Sequence, residues 1–98
     1  MFVNIIRTYR DVVAICDKEL IGKKFYEGKF QLDVKENFYK GEEMNEEKTI
    51  QILKNMKRED ATFNIVGEKS INAAIKAEVI NENAIGKIEN IPFSLVLI

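Results

Sequence analysis

The segment FNIVGEKSINAAI (residues 63–75) changes from a strand pattern to a helix pattern at one glycine. Its first part is rich in β-branched and aromatic residues, and its later apolar residues recur at helical spacing. A tight strand-to-helix turn alone explains Gly67, although the free N–H groups of a helix start also suit an anion. Lys69 and Ser70 would assist such a site, whereas the carboxylate of Glu68 would compete for the same positive helix end.

Patterns on both sides of this segment predict the remaining strands and helices. Residues 2–9 and 11–16 are apolar at nearly every position, which predicts a hairpin of central strands covered on both faces. The other predicted elements are a strand at 29–34, a helix at 46–60, a strand at 62–66, a helix at 68–80, a short extended piece near Ile88 and a strand at 93–98, with Pro92 at its entry or edge. The order strand-strand-strand-helix-strand-helix-strand predicts one α+β domain, residues 1–98, with a mixed sheet of about five strands and two main helices.

Turns and helix ends give further local expectations. Asn45 stands directly before the helix at 46–60 and is expected to cap it. Asp17 is expected to accept an N–H from a residue two or three positions further on, and Gly22 to end that short turn in the left-handed conformation. The connection after residue 34 is polar, with Phe38 and Tyr39 expected against the core.

The strand at 29–34 has an alternating pattern, which predicts one face on the core and one in water. Its apolar residues are Phe30, Leu32 and Val34.

The overall charge gives no support to nucleic-acid binding. Lys and Arg number 15 and Asp and Glu 16, a net charge of −1, whereas dedicated nucleic-acid binders are usually basic. Three small basic groups remain: Arg7 with Arg10, Lys23 with Lys24 and Lys29, and Lys54 with Lys57 and Arg58. The first two groups would meet RNA phosphates if they share one side of the protein. Aromatic side chains available to stack on bases are Tyr9, Phe25 and Tyr26.

Residues with catalytic or metal-binding chemistry are scarce. The chain has no histidine, which excludes imidazole-activated nucleophiles and the commonest zinc sites. Three of the four glutamates within residues 42–47 flank or open a helix start, where negative charge is stabilising with or without a magnesium ion. We therefore predict no catalytic residue, no metal and no cofactor.

The single cysteine, Cys16, cannot form an internal disulfide and is interpreted as a small buried residue in a protein from a reducing compartment. Residues 1–15 have neither the apolar centre of a signal peptide nor the length of a membrane span. We expect a cytoplasmic protein with no membrane partner.

Several segments together resemble one protein family: VVAICDKELIGKKF, GKFQLDV followed by FYKGE, FNIVGEKSINAAI and IPFSLVLI. The chain resembles, over nearly its whole length, the small archaeal proteins of the domain-of-unknown-function family 424. That resemblance implies a stand-alone archaeal cytoplasmic α+β protein of no established activity, with an association to RNA or translation. The family pattern implies Gly-Val-Pro-His near the last strand, where this chain has Asn90-Ile91-Pro92-Phe93. If that histidine has a function in relatives, Phe93 cannot perform it in this chain.

Three functional hypotheses follow. The first is a non-enzymatic module that binds RNA or a ribonucleoprotein, with Arg7, Arg10, Lys23 and Lys24 on phosphates and an anion seat at Gly67, Lys69 and Ser70. The second is a subunit of a larger complex, which pairs a partner with its apolar C-terminal strand or a sheet edge. The third is an enzyme on a small phosphorylated compound, with Lys69 and Ser70 on the phosphate and Glu68 or Asp17 as base.

Overall fold

The computed structural model describes residues 1–97. The strands and helices follow the chain in this order: β1 (Phe2–Ile6), β2 (Val12–Cys16), β3 (Lys24–Glu27), β4 (Phe30–Asp33), α1 (Glu36–Tyr39), β5 (Glu42–Glu43), α2 (Glu46–Arg58), β6 (Thr62–Val66), α3 (Glu68–Lys76), β7 (Gly86–Ile88) and β8 (Ile91–Val96). Single 3-10 turns occupy Lys18–Leu20 and Glu82–Ala84.

The main sheet has six strands in the order β5-β1-β2-β6-β8-β7. β2 and β6 are parallel, and the other neighbouring strands are antiparallel. β3 and β4 pair only with each other, as a separate hairpin. The predicted α+β class with a mixed sheet is confirmed, and the short strand near Ile88 is β7.

Apolar side chains cover both faces of the central strands, as the sequence predicts. On one face, α2 and α3 pack on alternate residues of β1, β2 and β6; these are Val3, Val13, Ile15, Phe63 and Ile65. On the other face, α1 and the β3–β4 hairpin cover the intervening residues, which are Phe2, Ala14, Cys16 and Val66. Tyr39 is buried and Phe38 half-buried in this second layer, as expected.

The predicted third strand lies outside the main sheet, which corrects its expected place. It forms β4, whose partner β3 the sequence pattern did not predict, and Leu32 and Val34 point to the core as expected. Phe30 is 72% exposed, contrary to expectation, because it lies next to the hairpin turn, beyond the residues that contact the sheet. Alternation therefore predicted the strand but not how far the core beneath it extends.

Element ends also differ from prediction. β1 ends at Ile6, three residues early, and α3 ends at Lys76 instead of residue 80. Glu78 has a φ of 61°, and the N–H of Val79 bonds to the carbonyl of Ala74, which is the Schellman ending usually built on glycine. The predicted last strand reached Ile98, which lies outside the described residues.

Within residues 1–97, no helix has the length and apolar character needed to cross a membrane.

Candidate functional site

The start of α3 is built around Gly67, which has a φ of 106° and a ψ of 154°. Its N–H donates to the carbonyl of Pro92 at 2.8 Å, which carries the β6–β8 pairing past the end of β6. A Cβ at this position would lie 2.4 Å from Cγ of Asp17. Glycine is therefore required here twice, by the positive φ and by the approach of a carboxylate.

That carboxylate fills the helix start. The backbone N–H of Ser70 and its hydroxyl each donate to Oδ1 of Asp17 at 2.8 Å, and the N–H of Lys69 donates to Oδ2 at 3.1 Å. Asp17 is 3% exposed and Ser70 0%. The positive end of α3 thus binds an anion that belongs to the chain itself. We call Asp17, Gly67 and Ser70 the Asp17 clamp.

The clamp corrects the expected role of Asp17. Its side chain caps no residue of the turn at Lys18–Leu20, because it reaches 53 positions along the chain to Ser70. The parallel pairing of β2 with β6 causes this, since it places the ends of the two strands side by side. Gly22, with a φ of 79°, is left-handed as predicted.

The predicted anion-binding residues are therefore divided between surface and interior. Gly67 and Ser70 are buried in the clamp, whereas the side chains of Lys69 and Glu68 are exposed. A phosphate from outside would have to displace the buried carboxylate of Asp17 to reach the N–H groups. The same contacts direct that carboxylate inward, away from any substrate at the surface.

Cys16, directly before the clamp, is fully buried, which confirms the structural interpretation of this residue. Burial, with the neighbouring negative charge of Asp17, raises the pKa of its thiol to about 12. A thiol with such a pKa is almost entirely protonated at neutral pH and is a poor nucleophile.

The residues predicted to contact RNA lie at opposite ends of β2. Arg7 and Arg10 are in the β1–β2 turn, where Arg7 forms an ion pair with Asp11 at 2.6 Å. Tyr9 and Arg10 line a surface depression together with acidic side chains, which are Asp11, Glu59 and Asp60.

Lys23 and Lys24 follow the turn at the other end of β2, where the N–H of Lys23 bonds to the carbonyl of Leu20. The five residues of β2 separate the two pairs by roughly 15 Å or more. The pairs therefore do not meet in one basic patch.

The β3–β4 hairpin brings Lys23 and Lys24 near other groups suited to nucleic acid. Lys24 and Tyr26 are two positions apart in β3, so their side chains leave the same face of the hairpin. Phe25, between them, points to the core, and the ring of Tyr26 is 57% exposed. Lys29 is exposed in the turn between the strands. We call Lys23, Lys24, Tyr26 and Lys29 the hairpin surface.

Two glutamates fix the hairpin to the β7–β8 turn. The N–H of Tyr26 donates to Oε2 of Glu89 at 2.7 Å, and the N–H of Glu89 donates to Oε1 of Glu27 at 3.0 Å. Each carboxylate thus accepts a backbone donor from the opposite turn. Tyr26 is held in place through its backbone, which leaves its ring exposed.

The sequence contains a turn motif that predicts the hairpin, although the strand pattern alone did not reveal it. Gly28 with Lys29 forms a two-residue turn with a positive φ at the glycine, a typical hairpin turn. Recognising it would have paired residues 24–27 with the predicted strand. The contact of Glu89 with the hairpin spans 63 positions of the chain, so no local sequence pattern predicts it.

Phe93 packs in the second core layer, directly over Gly86.

Comparisons with known proteins agree with this architecture. The family described as "Protein of unknown function (DUF424)" matches residues 6–98. The chain is also similar to an uncharacterized conserved protein from Methanopyrus kandleri, with a TM-score of 0.84 and 24% sequence identity over 97% of this chain and 88% of that one. At this identity the likeness shows the fold. No curated protein gives a significant match to the sequence.

Proposed function

The chain belongs to the DUF424 family, and we propose that it is a non-enzymatic, cytoplasmic module that binds RNA, alone or within a ribonucleoprotein. The hairpin surface supports this proposal, because three exposed lysines and an exposed aromatic ring lie within residues 23–29, on and beside the β3–β4 hairpin. Lysines bind phosphates, and aromatic rings stack on bases.

The observation that carries the proposal is the combination of lysines outside ion pairs with the exposed ring of Tyr26. Four lysines form ion pairs, Lys18, Lys40, Lys48 and Lys76, and several others on the surface of the described chain form none, so the exposed ring beside its lysines is what distinguishes the hairpin surface. Within residues 1–97, no carboxylate forms an ion pair with Lys23, Lys24 or Lys29. Cations without a protein counter-ion need not give up an existing contact to bind a phosphate.

The chain offers a matched pair of variants to test the proposal. Lys23→Gln/Lys24→Gln and Arg7→Gln/Arg10→Gln each remove two positive charges, at opposite ends of β2. We expect the lysine double variant to weaken binding of total RNA about tenfold or more at low salt. The arginine double variant should change it less than about twofold, because acidic groups already surround that turn. Filter binding over a salt titration measures both, since phosphate contacts weaken as ionic strength rises.

Equal losses in the two variants would show that only net charge matters and would reject the hairpin surface as the binding site. Binding that is absent for the unaltered protein, even at low salt, would reject RNA as the partner.

A protein-interaction role is the second candidate, and one feature of β8 favours it. The carbonyl of Pro92 faces β6, so by alternation Leu95 directs its backbone groups to the other side of the strand, and Leu97 follows the end of β8. β7 reaches only as far as Phe93 on that side, and both leucine side chains are exposed. A partner strand could pair there. Light scattering and a pull-down from native extract test this role, and a monomer without a stoichiometric partner would reject it.

A further inference from the structure

We infer that the RNA bound by the hairpin surface is single-stranded, with one unpaired base stacked on the ring of Tyr26 and the neighbouring phosphates on Lys23 and Lys24. This inference rests on the proposed function and narrows it to a class of RNA. Its basis is the position of one exposed ring beside lysines that form no ion pair within residues 1–97.

The spacing of Lys24 and Tyr26 fits one nucleotide. Residues two positions apart in a strand are roughly 7 Å apart, and both side chains stand on the outer face of the hairpin. A nucleotide can span that distance with its phosphate at the lysine and its base on the ring. Gln31, opposite Tyr26 in β4, lies on the same face and can hydrogen-bond to a base edge. Asp33, opposite Lys24, also lies on this face, so its carboxylate opposes phosphate binding on the β4 side of the lysine.

The ring of Tyr26 makes duplex RNA a poorer ligand than a single strand. Bases in a duplex are paired and stacked on each other, and the major groove of A-form RNA is too deep and narrow for side chains to read. A duplex would therefore contact the lysines alone. An unpaired base has a free face for the exposed ring of Tyr26, whose backbone is held by the hydrogen bond from its N–H to Glu89.

A second exposed tyrosine supplies the control. Tyr9 is fully exposed in the β1–β2 turn, beside two arginines, but with Asp11, Glu59 and Asp60 in the same depression. The β1–β2 turn and the hairpin surface thus both have an exposed tyrosine ring near positively charged side chains. The hairpin surface differs in that its lysines are not in ion pairs within residues 1–97.

Fluorescence anisotropy with a short unstructured RNA and a duplex of equal length tests the inference. We expect the unaltered protein to bind the single strand at least tenfold more tightly than the duplex. Tyr26→Ala should lose about tenfold on the single strand and little on the duplex, because stacking on one base is lost. Tyr26→Phe should retain binding, and Tyr9→Ala should behave as the unaltered protein. Phosphate contacts from Lys23 and Lys24 predict a slope of log affinity against log salt of about −1.4 for the single strand.

Equal affinity for the two probes, or an unchanged affinity of Tyr26→Ala for the single strand, would overturn this inference and leave the proposed RNA binding standing. Absence of binding to both probes would overturn the two together. Circular dichroism of each variant verifies that it is folded, which the exposure of both tyrosine rings leads us to expect.

Discussion

The two main helices begin in different ways. At the start of α2, Oδ1 of Asn45 accepts the N–H of Lys48 at 2.8 Å, so the cap comes from the residue directly before the helix. At the start of α3, the residue in that position is Gly67, which has no side chain, and the cap comes from Asp17 on another strand. The cap of the first helix is local and does not depend on the rest of the fold. The cap of the second helix forms only when β2 and β6 are paired.

This difference shows how the Asp17 clamp joins distant parts of the chain. One carboxylate satisfies three donors of α3, and the backbone N–H of the same residue bonds to the carbonyl of Val66. A buried carboxylate that accepts several hydrogen bonds is strongly held, but removal of any member leaves buried polar groups without partners. We therefore expect substitutions at the α3 start to cost far more stability than substitutions at the α2 start.

The largest effect is expected for Gly67→Ala. The new Cβ would have to occupy a φ of 106° and lie within 2.7 Å of three atoms of the Asp17 carboxyl group. Strain and steric overlap together should lower the free energy of unfolding by about 4 kcal/mol or more. Urea denaturation measures it.

The control for Gly67→Ala is Gly22→Ala. Gly22 also has a positive φ, of 79°, but an added Cβ there meets nothing within 4 Å. This variant should lose only about 1 kcal/mol. Equal losses in the two variants would show that the carboxylate does not constrain Gly67.

Asp17→Ala should have the next largest effect, about 3 kcal/mol in the free energy of unfolding. The variant leaves two N–H groups and the hydroxyl of Ser70 without an acceptor in a buried place. Its counterpart at the other helix is Asn45→Ala, which should cost about 1 kcal/mol, because the exposed N–H of Lys48 can bond to water. Urea denaturation of both variants compares the two caps, and a smaller loss for Asp17→Ala than for Asn45→Ala would contradict the structure.

The same contrast explains what the sequence could predict. Asn45 and Lys48 are three positions apart, so the local sequence pattern was enough to predict this cap. The local pattern was also enough to predict the apolar strands β1, β2 and β6. The partner of Asp17 depends on strand pairing, which no local pattern contains. Both main helices also end with acidic residues at positive φ, Asp60 and Glu78, where sequence reasoning expects glycine. The end of α3 was accordingly predicted four residues too late.

The hairpin shows the same limit at the candidate site. Lys23, Lys24 and Tyr26 were each identified as candidates for RNA contact, because residue type alone indicates their chemistry. Their common surface depends on β3, which has only four residues and a mixed pattern. The separation of Arg7 and Arg10 from these lysines depends on the length of β2 between two turns. Residue type therefore predicted the candidates, and topology decided which of them lie together.

The smallest effect is expected from inorganic phosphate added to the unaltered protein. If the α3 start were open to an outside anion with a dissociation constant of 1 mM, 50 mM phosphate would stabilise the fold by about 2 kcal/mol, a shift of roughly 10 °C in Tm. Because Asp17 already fills that position, we expect a shift below about 1 °C relative to chloride at equal ionic strength. A shift of several degrees that is lost in Lys69→Gln would show that an outside anion binds at this helix start. The start of α3 would then be open to an outside anion, whereas the start of α2 is capped by the uncharged side chain of Asn45.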